Sequence, residues 1–277
     1  MDTKVLVEGR AFLEGPRWRE DRLWFSDVPA GEVLTVDMDG RCETVAAIEG
    51  SPSGLGWLPD GTLLVARGVP AAVVAVPASG QVRIHADLTG VAEFPPNDMV
   101  VDSSGRAWLG TCDIGGIPKP SVSQIICVEP DGSAWVADTD MRFPNGSVIT
   151  PDGQTLIVAE TFGAALTSFD LGSGGLTGKR QWASVPGCLP DGICLDAEGA
   201  VWLADAGGQA AVRVRQGGEV LERVDVGRGC YACTLGGPDG RTLFLLTGEF
   251  GPPGRALETR PGRIETVTVD VPGAGSP

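Results

Sequence analysis

Four residues of the chain, Glu14, Asn97, Asn145 and Asp191, stand in one register: each lies eight residues before the same point of a recurring turn. The two other copies of that turn place Ser53 and Ala232 there. Two carboxylates and two carboxamides, with no His or Cys among them, describe a site for a hard cation. Ca²⁺ accepts about six to eight oxygens at roughly 2.3–2.6 Å from such mixed donors and water, whereas Zn²⁺ favours nitrogen and sulfur. The set therefore predicts one divalent metal ion, Ca²⁺ foremost, with Zn²⁺, Mn²⁺ or Mg²⁺ as other occupants. The same residues also read as turn chemistry, since Asn145-Gly146 and Asp191-Gly192 are ordinary turn dipeptides and Asn97-Asp98 an ordinary loop pair. Oxygen donors in one register across four repeats favour the metal.

The elements that must hold these residues follow from the repeat. A turn rich in Asp and Gly, then a strand of bulky and β-branched residues, recurs six times. The copies begin at Arg19, Pro59, Ser103, Pro151, Ala197 and Pro238, and continue as LWFSD, TLLVA, RAWLG, QTLIVAE, AVWLAD and RTLFLLT. Gly61, Gly105, Gly153, Gly199 and Gly240 end the turn in five copies, and Arg22 takes the place in the first. The intervals run from 39 to 48 residues. That period, with several strands and no helical pattern per unit, is what a propeller blade needs. The expectation is an all-β, six-bladed β-propeller of four-stranded antiparallel blades, occupying residues 1–277 as a single domain. Equivalent positions then lie at one height around the axis, at the start of the innermost strands. Lys4 to Glu8 reads as a strand without a partner in its own blade, so the N-terminal strand should join the last blade, whose own run Arg263–Val271 reads as a strand, and close the ring. Gly251–Gly262 reads as a loop, and the residues from about 273 as a loose tail.

Composition narrows the function classes. The formal net charge is −15, which argues against a phosphate backbone as partner. The first residues, MDTKVLVEG, carry no apolar leader, and no stretch reaches about 18 apolar residues. The expected setting is the cytoplasm, with no membrane or nucleic-acid partner and reduced thiols, as a monomer or weak homo-oligomer. Of the seven cysteines, Cys230 and Cys233 form a lone C-x-x-C, better read as buried small side chains than as a zinc or redox pair. His85, the one histidine, lies outside the register and reads as structural or exposed. Trp24, Trp108 and Trp202 sit in repeat positions and read as packing between blades.

The segments EGPRW (14–18), PPND (95–98), FPNG (143–146) and PDGICLDAEGAVWLAD (190–205) resemble the senescence marker protein/regucalcin/gluconolactonase family, and GCYACTLGGPDGRTLFLLT (229–247) carries the resemblance into the last blade. It spans about residues 7 to 270 and implies a six-bladed propeller with a divalent metal and lactone hydrolysis, or organophosphate hydrolysis in related propellers. Glu14, Asn145 and Asp191 match the family's metal ligands. Asn97 matches an asparagine that ligates the metal or contacts substrate. Asp191 also matches the proposed catalytic base or nucleophile. The family's sugar lactonases carry an arginine where this chain has Pro95, which points to a less polar lactone or ester.

The resulting expectation is a metal-dependent hydrolase that opens a small-molecule lactone, with the cation as Lewis acid and Asp191 activating water. Cys112, Phe143 and Phe162 join Asn97 as candidate substrate contacts, with Asp113, Thr161 and Glu249 on the same face, and Arg67 and Arg142 are candidates for an anionic substrate. The alternatives are an organophosphate or ester hydrolase at the same metal and a non-enzymatic Ca²⁺-binding propeller.

Overall fold

The computed structural model describes residues 2–113 and 122–275. Six innermost strands, Leu13–Arg19, Pro52–Trp57, Pro96–Val101, Pro144–Ile149, Pro190–Leu195 and Gly229–Gly236, each begin a four-stranded sheet. These sheets are blades 1 to 6 of a six-bladed β-propeller, antiparallel throughout. In blades 1 to 5 the strands follow chain order outward. In blade 6 the outermost strand is Lys4–Arg10, which pairs antiparallel with Gly262–Thr268 and sets Lys4 opposite Thr266 and Val7 opposite Ile264. The chain's beginning thus closes the ring on its end. It also covers an edge that would otherwise present unpaired backbone.

The turns account for the repeat. Asp60, Asp152 and Asp239 each accept a hydrogen bond from the backbone amide two residues on, and the glycines that follow them take positive φ. The first copy needs no glycine because Arg19 pairs directly with Arg22 and the two turn residues, Glu20 and Asp21, adopt φ of 53° and 58°. Both central residues of such a two-residue hairpin loop turn left-handed.

The apolar core lies between blades, not within them. Leu23 and Phe25 of blade 1 pack with Phe244 and Leu246 of blade 6. Trp108 of blade 3 packs with Ile149, Leu156 and Phe169 of blade 4. Trp202 of blade 5 packs with Leu235 and Leu245 of blade 6, and Trp24 meets Trp57 edge-on at 5.4 Å. Each fully buried Leu or Phe stabilises by about 1.5–3 kcal/mol, and no blade can bury these side chains alone.

Near the axis the innermost strands touch through backbone. A Cβ on Gly146 would stand 2.5 Å from the Ile193 amide, and one on Gly192 would stand 2.6 Å from Cα of Ala232. Both glycines follow a register position directly, so the ring residues converge because their neighbours have no side chain.

Two expectations need correction. Within Gly251–Gly262 the residues Pro253–Thr259 form a short α-helix, for which proline at its first turn is no obstacle because that amide has no helical partner. The tail is not loose as far as Ala274. Gly273 donates to Gly240 O at 2.9 Å and Ala274 to Leu195 O at 3.0 Å, so the segment straps blade 5 to blade 6. Among the described residues no helix is long and apolar enough to cross a membrane.

Gly146→Ala should lower stability by about 1–3 kcal/mol, the range for forcing atoms into a packed site. Gly174→Ala, with no atom within 4 Å of its added Cβ and no positive φ to strain, should change it by no more than about 1 kcal/mol. Thermal denaturation of both variants checks the difference.

Candidate functional site

Each register residue sits near the start of an innermost strand, and each of those strands carries a pairing irregularity there. The ladder slips between Glu14 and Arg17, Pro52 and Leu55, Pro96 and Met99, Pro144 and Ser147, Pro190 and Ile193, and Cys230 and Ala232. A bulge re-aims side chains that regular pleating would alternate. The outcome is that Glu14, Asn97, Asn145 and Asp191 line one cavity of about 320 Å³, together with Cys112, Phe143, Thr161 and Phe162. The four residues expected to hold the metal and Cys112, Phe143 and Phe162, expected to meet substrate, are therefore brought together. Asp113, Glu249, Arg67 and Arg142 are not part of that lining. Glu249 pairs with Arg255 at 3.7 Å, and Arg67 donates to Pro70 O at 2.9 Å. A larger groove of about 630 Å³ runs along Pro151, Asp196 and Ala274, but no register residue reaches it.

The polar floor is a directed chain of hydrogen bonds. Ser53 Oγ donates to Asn97 Oδ1 at 3.2 Å, Asn97 Nδ2 to Asn145 Oδ1 at 2.9 Å, Asn145 Nδ2 to Thr161 Oγ1 at 3.3 Å, and Thr161 Oγ1 to Pro190 O at 2.8 Å. Both amide oxygens keep a second lone pair. Asp191 and Glu14 are buried, and Asp191 Oδ1 has no hydrogen-bond partner. Burial first, then the charge of Asp191 and that of Asp98, raise the Glu14 carboxyl well above the carboxylate range. Burial and then Asp98 do the same to Asp191. Arg17, 3.5 Å from Asp98, offsets part of this charge.

These observations fit a hard cation: oxygen donors only, two of them anionic, one oxygen orphaned in a buried place. Among the described residues no three His, Cys, Asp or Glu side chains gather into a metal-holding group, so a cation on this floor would take half its protein donors from carboxamides. Burial and the nearby carboxylates push the Cys112 thiol up to about 12, so it stands in the wall as a neutral small side chain and not as a nucleophile.

The walls are aromatic, and part of them is new. Phe12, Leu189, Tyr231 and Phe250 also line the cavity. Phe12, Phe143 and Leu189 each stand two residues before a register residue, a signal the repeat does contain. The second strands of blades 1, 4 and 5 end in buried carboxylates that pin these three. Asp27 accepts from the amides of Ala11 and Phe12 at 3.1 Å each, Glu160 from Arg142 at 2.7 Å, and Asp205 from Leu189 at 2.9 Å. Phe143 is held at φ 64°, a conformation that bulky residues seldom adopt and that persists where surrounding contacts fix it. Tyr231 has no such register, although it lies within the segment GCYACTLGGPDGRTLFLLT.

Other expectations concern residues away from the cavity. Cys230 and Cys233 are free and buried, and Cys233 Sγ lies 4.0 Å from Cys194 Sγ of the neighbouring blade. His85 stands in the outer strand Arg83–Asp87 of blade 2, outside the cavity lining.

Known proteins share the family and the fold. A family model described as the SMP-30/gluconolactonase/LRE-like region matches residues 12–249. A 6-deoxy-6-sulfogluconolactonase of Pseudomonas putida is 29% identical over 95% of this chain and 93% of its own. A pentonolactonase of Haloferax volcanii is 26% identical over 88% and 84%. A regucalcin structure from Agrobacterium tumefaciens superposes with a TM-score of 0.82 at 23% identity, covering 100% of this chain and 96% of that one.

Because Glu14 and Asp191 hold protons more tightly folded than unfolded, their contribution to stability falls as pH rises. In chelator-treated protein near neutral pH, Asp191→Asn or Glu14→Gln should therefore raise stability, by on the order of 1 kcal/mol, as read by denaturant melts. Lower stability in both variants would mean that the carboxylates are compensated.

Proposed function

The chain belongs to the SMP-30/gluconolactonase/LRE-like family, and from that premise we propose that it is a lactonase-type hydrolase acting on a small-molecule lactone at a divalent cation on the propeller axis, Ca²⁺ foremost. The observation that carries the reading is Asp191: buried, with one oxygen unpartnered, on the floor of a cavity walled by apolar side chains. The names of the lactonase relatives support the reaction class.

Glu14, Asn97, Asn145 and Asp191 would hold the cation. When bound, the cation supplies Lewis-acid polarisation of the ester carbonyl and a counter-charge for the oxyanion. Asp191 lies beside the Asn145 carboxamide and the Gly192 amide, and its carboxylate would take a proton from the attacking water. The water oxygen adds to the acyl carbon, the ring C–O bond breaks, and the proton passes to the departing ring oxygen to give an open hydroxy acid. The Ser53–Asn97–Asn145–Thr161 chain holds both amide planes against rotation, so the oxygens stay turned to the floor. The apolar walls exclude bulk water from the carbonyl.

Hydrolysis of a lactone panel should disappear on chelation and return with Ca²⁺ or one of Mg²⁺, Mn²⁺ and Zn²⁺. Asp191→Asn should lower kcat by about 10²–10⁴-fold, the usual contribution of a positioned base. Metal binding without turnover of any lactone would instead make the protein a binding propeller.

A further inference from the structure

The cavity's walls differ from its floor in one respect that bears on substrate class. The floor's hydroxyls and carboxamides are hydrogen-bonded along the chain from Ser53 to Pro190, and Glu14 and Asp191 stand beside them for the reacting end of a ligand. Above them stand two groups of rings. Phe12 packs on Tyr231 with centroids 4.7 Å apart and on Phe250 at 6.3 Å, while Phe143 meets Phe162 edge-on at 5.0 Å. The Tyr231 phenol lies beside the Phe250 backbone amide. Leu189, Ala206, Gly207 and the neutral Cys112 fill the rest of the lining, and among the described residues no Lys, Arg or His side chain joins it.

The described walls offer no charged side chain and few free polar groups to the hydroxyls of a polyol. Each hydroxyl that left water to enter would lose hydrogen bonds without replacement, while a planar ring would find aromatic faces and edges on two sides. The volume, about 320 Å³, is at the small end of small-molecule pockets and suits one or two fused rings.

Building on the lactonase reading, we infer that the substrate is a lactone carried on an apolar, aromatic ring system, with its ester carbonyl toward Asp191 and its ring between the Phe12–Tyr231–Phe250 and Phe143–Phe162 groups. Hydrolysis then breaks the bond between the acyl carbon and the ring oxygen, water supplies the new acyl oxygen, and the departing phenol or benzylic alcohol takes the proton.

The test compares 3,4-dihydrocoumarin with D-glucono-1,5-lactone on metal-loaded protein. Alongside, calorimetry on chelated protein measures binding of 3,4-dihydro-2(1H)-quinolinone, the lactam analogue of the aromatic lactone. The expected result is a kcat/KM at least about tenfold higher for dihydrocoumarin, with saturable lactam binding that gluconolactam does not compete. Phe250→Ala, at a ring 65% exposed and so removable without opening the core, should raise KM for dihydrocoumarin severalfold while kcat holds. Equal or better turnover of gluconolactone overturns the aromatic assignment and leaves the lactonase reading standing. If neither lactone is opened with any metal, the lactonase reading falls, and the calorimetry decides the rest. Bound lactam keeps the aromatic ligand class for this cavity, and absence of binding removes it.

Discussion

Glu14 and Asp191 carry like charge in a buried volume near the ring axis, and Asp98 adds a third carboxylate to the same field. Arg17 is the guanidinium set against them. It donates to Pro16 O at 2.8 Å and to Met99 O, and lies 3.5 Å from Asp98. Its nearness lowers the Glu14 carboxyl by less than burial and the neighbouring carboxylates raise it. Repulsion of this kind does not help a fold, and mutational experience with buried charges shows that unpaired ones are costly. The proposed cation would offset that repulsion in the working state.

Holding them there falls to the blades. Every blade contributes its share of core to the seam with the next, so inner strands are pressed together from outside by Trp108, Trp202, Phe244 and their neighbours. Inside, Gly146 and Gly192 let backbone approach backbone, and the bulges turn one residue per strand inward. Packing at the periphery and absence of side chains at the centre are two sides of one arrangement. A propeller with a fuller centre could not bring Glu14, Asn97, Asn145 and Asp191 to one floor.

The floor was legible in the sequence for a geometric reason. A hairpin of fixed ladder length sets a constant distance from its turn to its start, so the turn glycines Gly105, Gly153 and Gly199 point back to Asn97, Asn145 and Asp191 by counting. Ring closure was legible because Lys4–Glu8 alternated without a partner. The walls were only partly so. Phe143 and Phe162 flank motif residues, and Phe12 and Leu189 share a register with Phe143, but that register shows only when the buried carboxylates Asp27, Glu160 and Asp205 are seen to pin it. Tyr231 and Phe250 come from a blade whose register residue is Ala232, where counting ends on a methyl group and gives no reason to look further. The helix Pro253–Thr259 was hidden by glycines and prolines that usually mark loops.

Floor and walls together explain how one fold can keep a reaction and change its substrate. The floor is tied to the inner strands, and altering it would disturb the bulges that the ring's centre depends on. Of the wall residues, Phe12, Phe143 and Leu189 hang from positions whose backbone is fixed by Asp27, Glu160 and Asp205, whatever side chain those positions carry. A phenylalanine at residue 12 or 143 is held by its backbone amide or by that of its neighbour, so its ring is free to vary in kind without loss of the anchor. On the proposed reading, specificity would reside where the scaffold constrains backbone and leaves chemistry open, and reactivity where it constrains both.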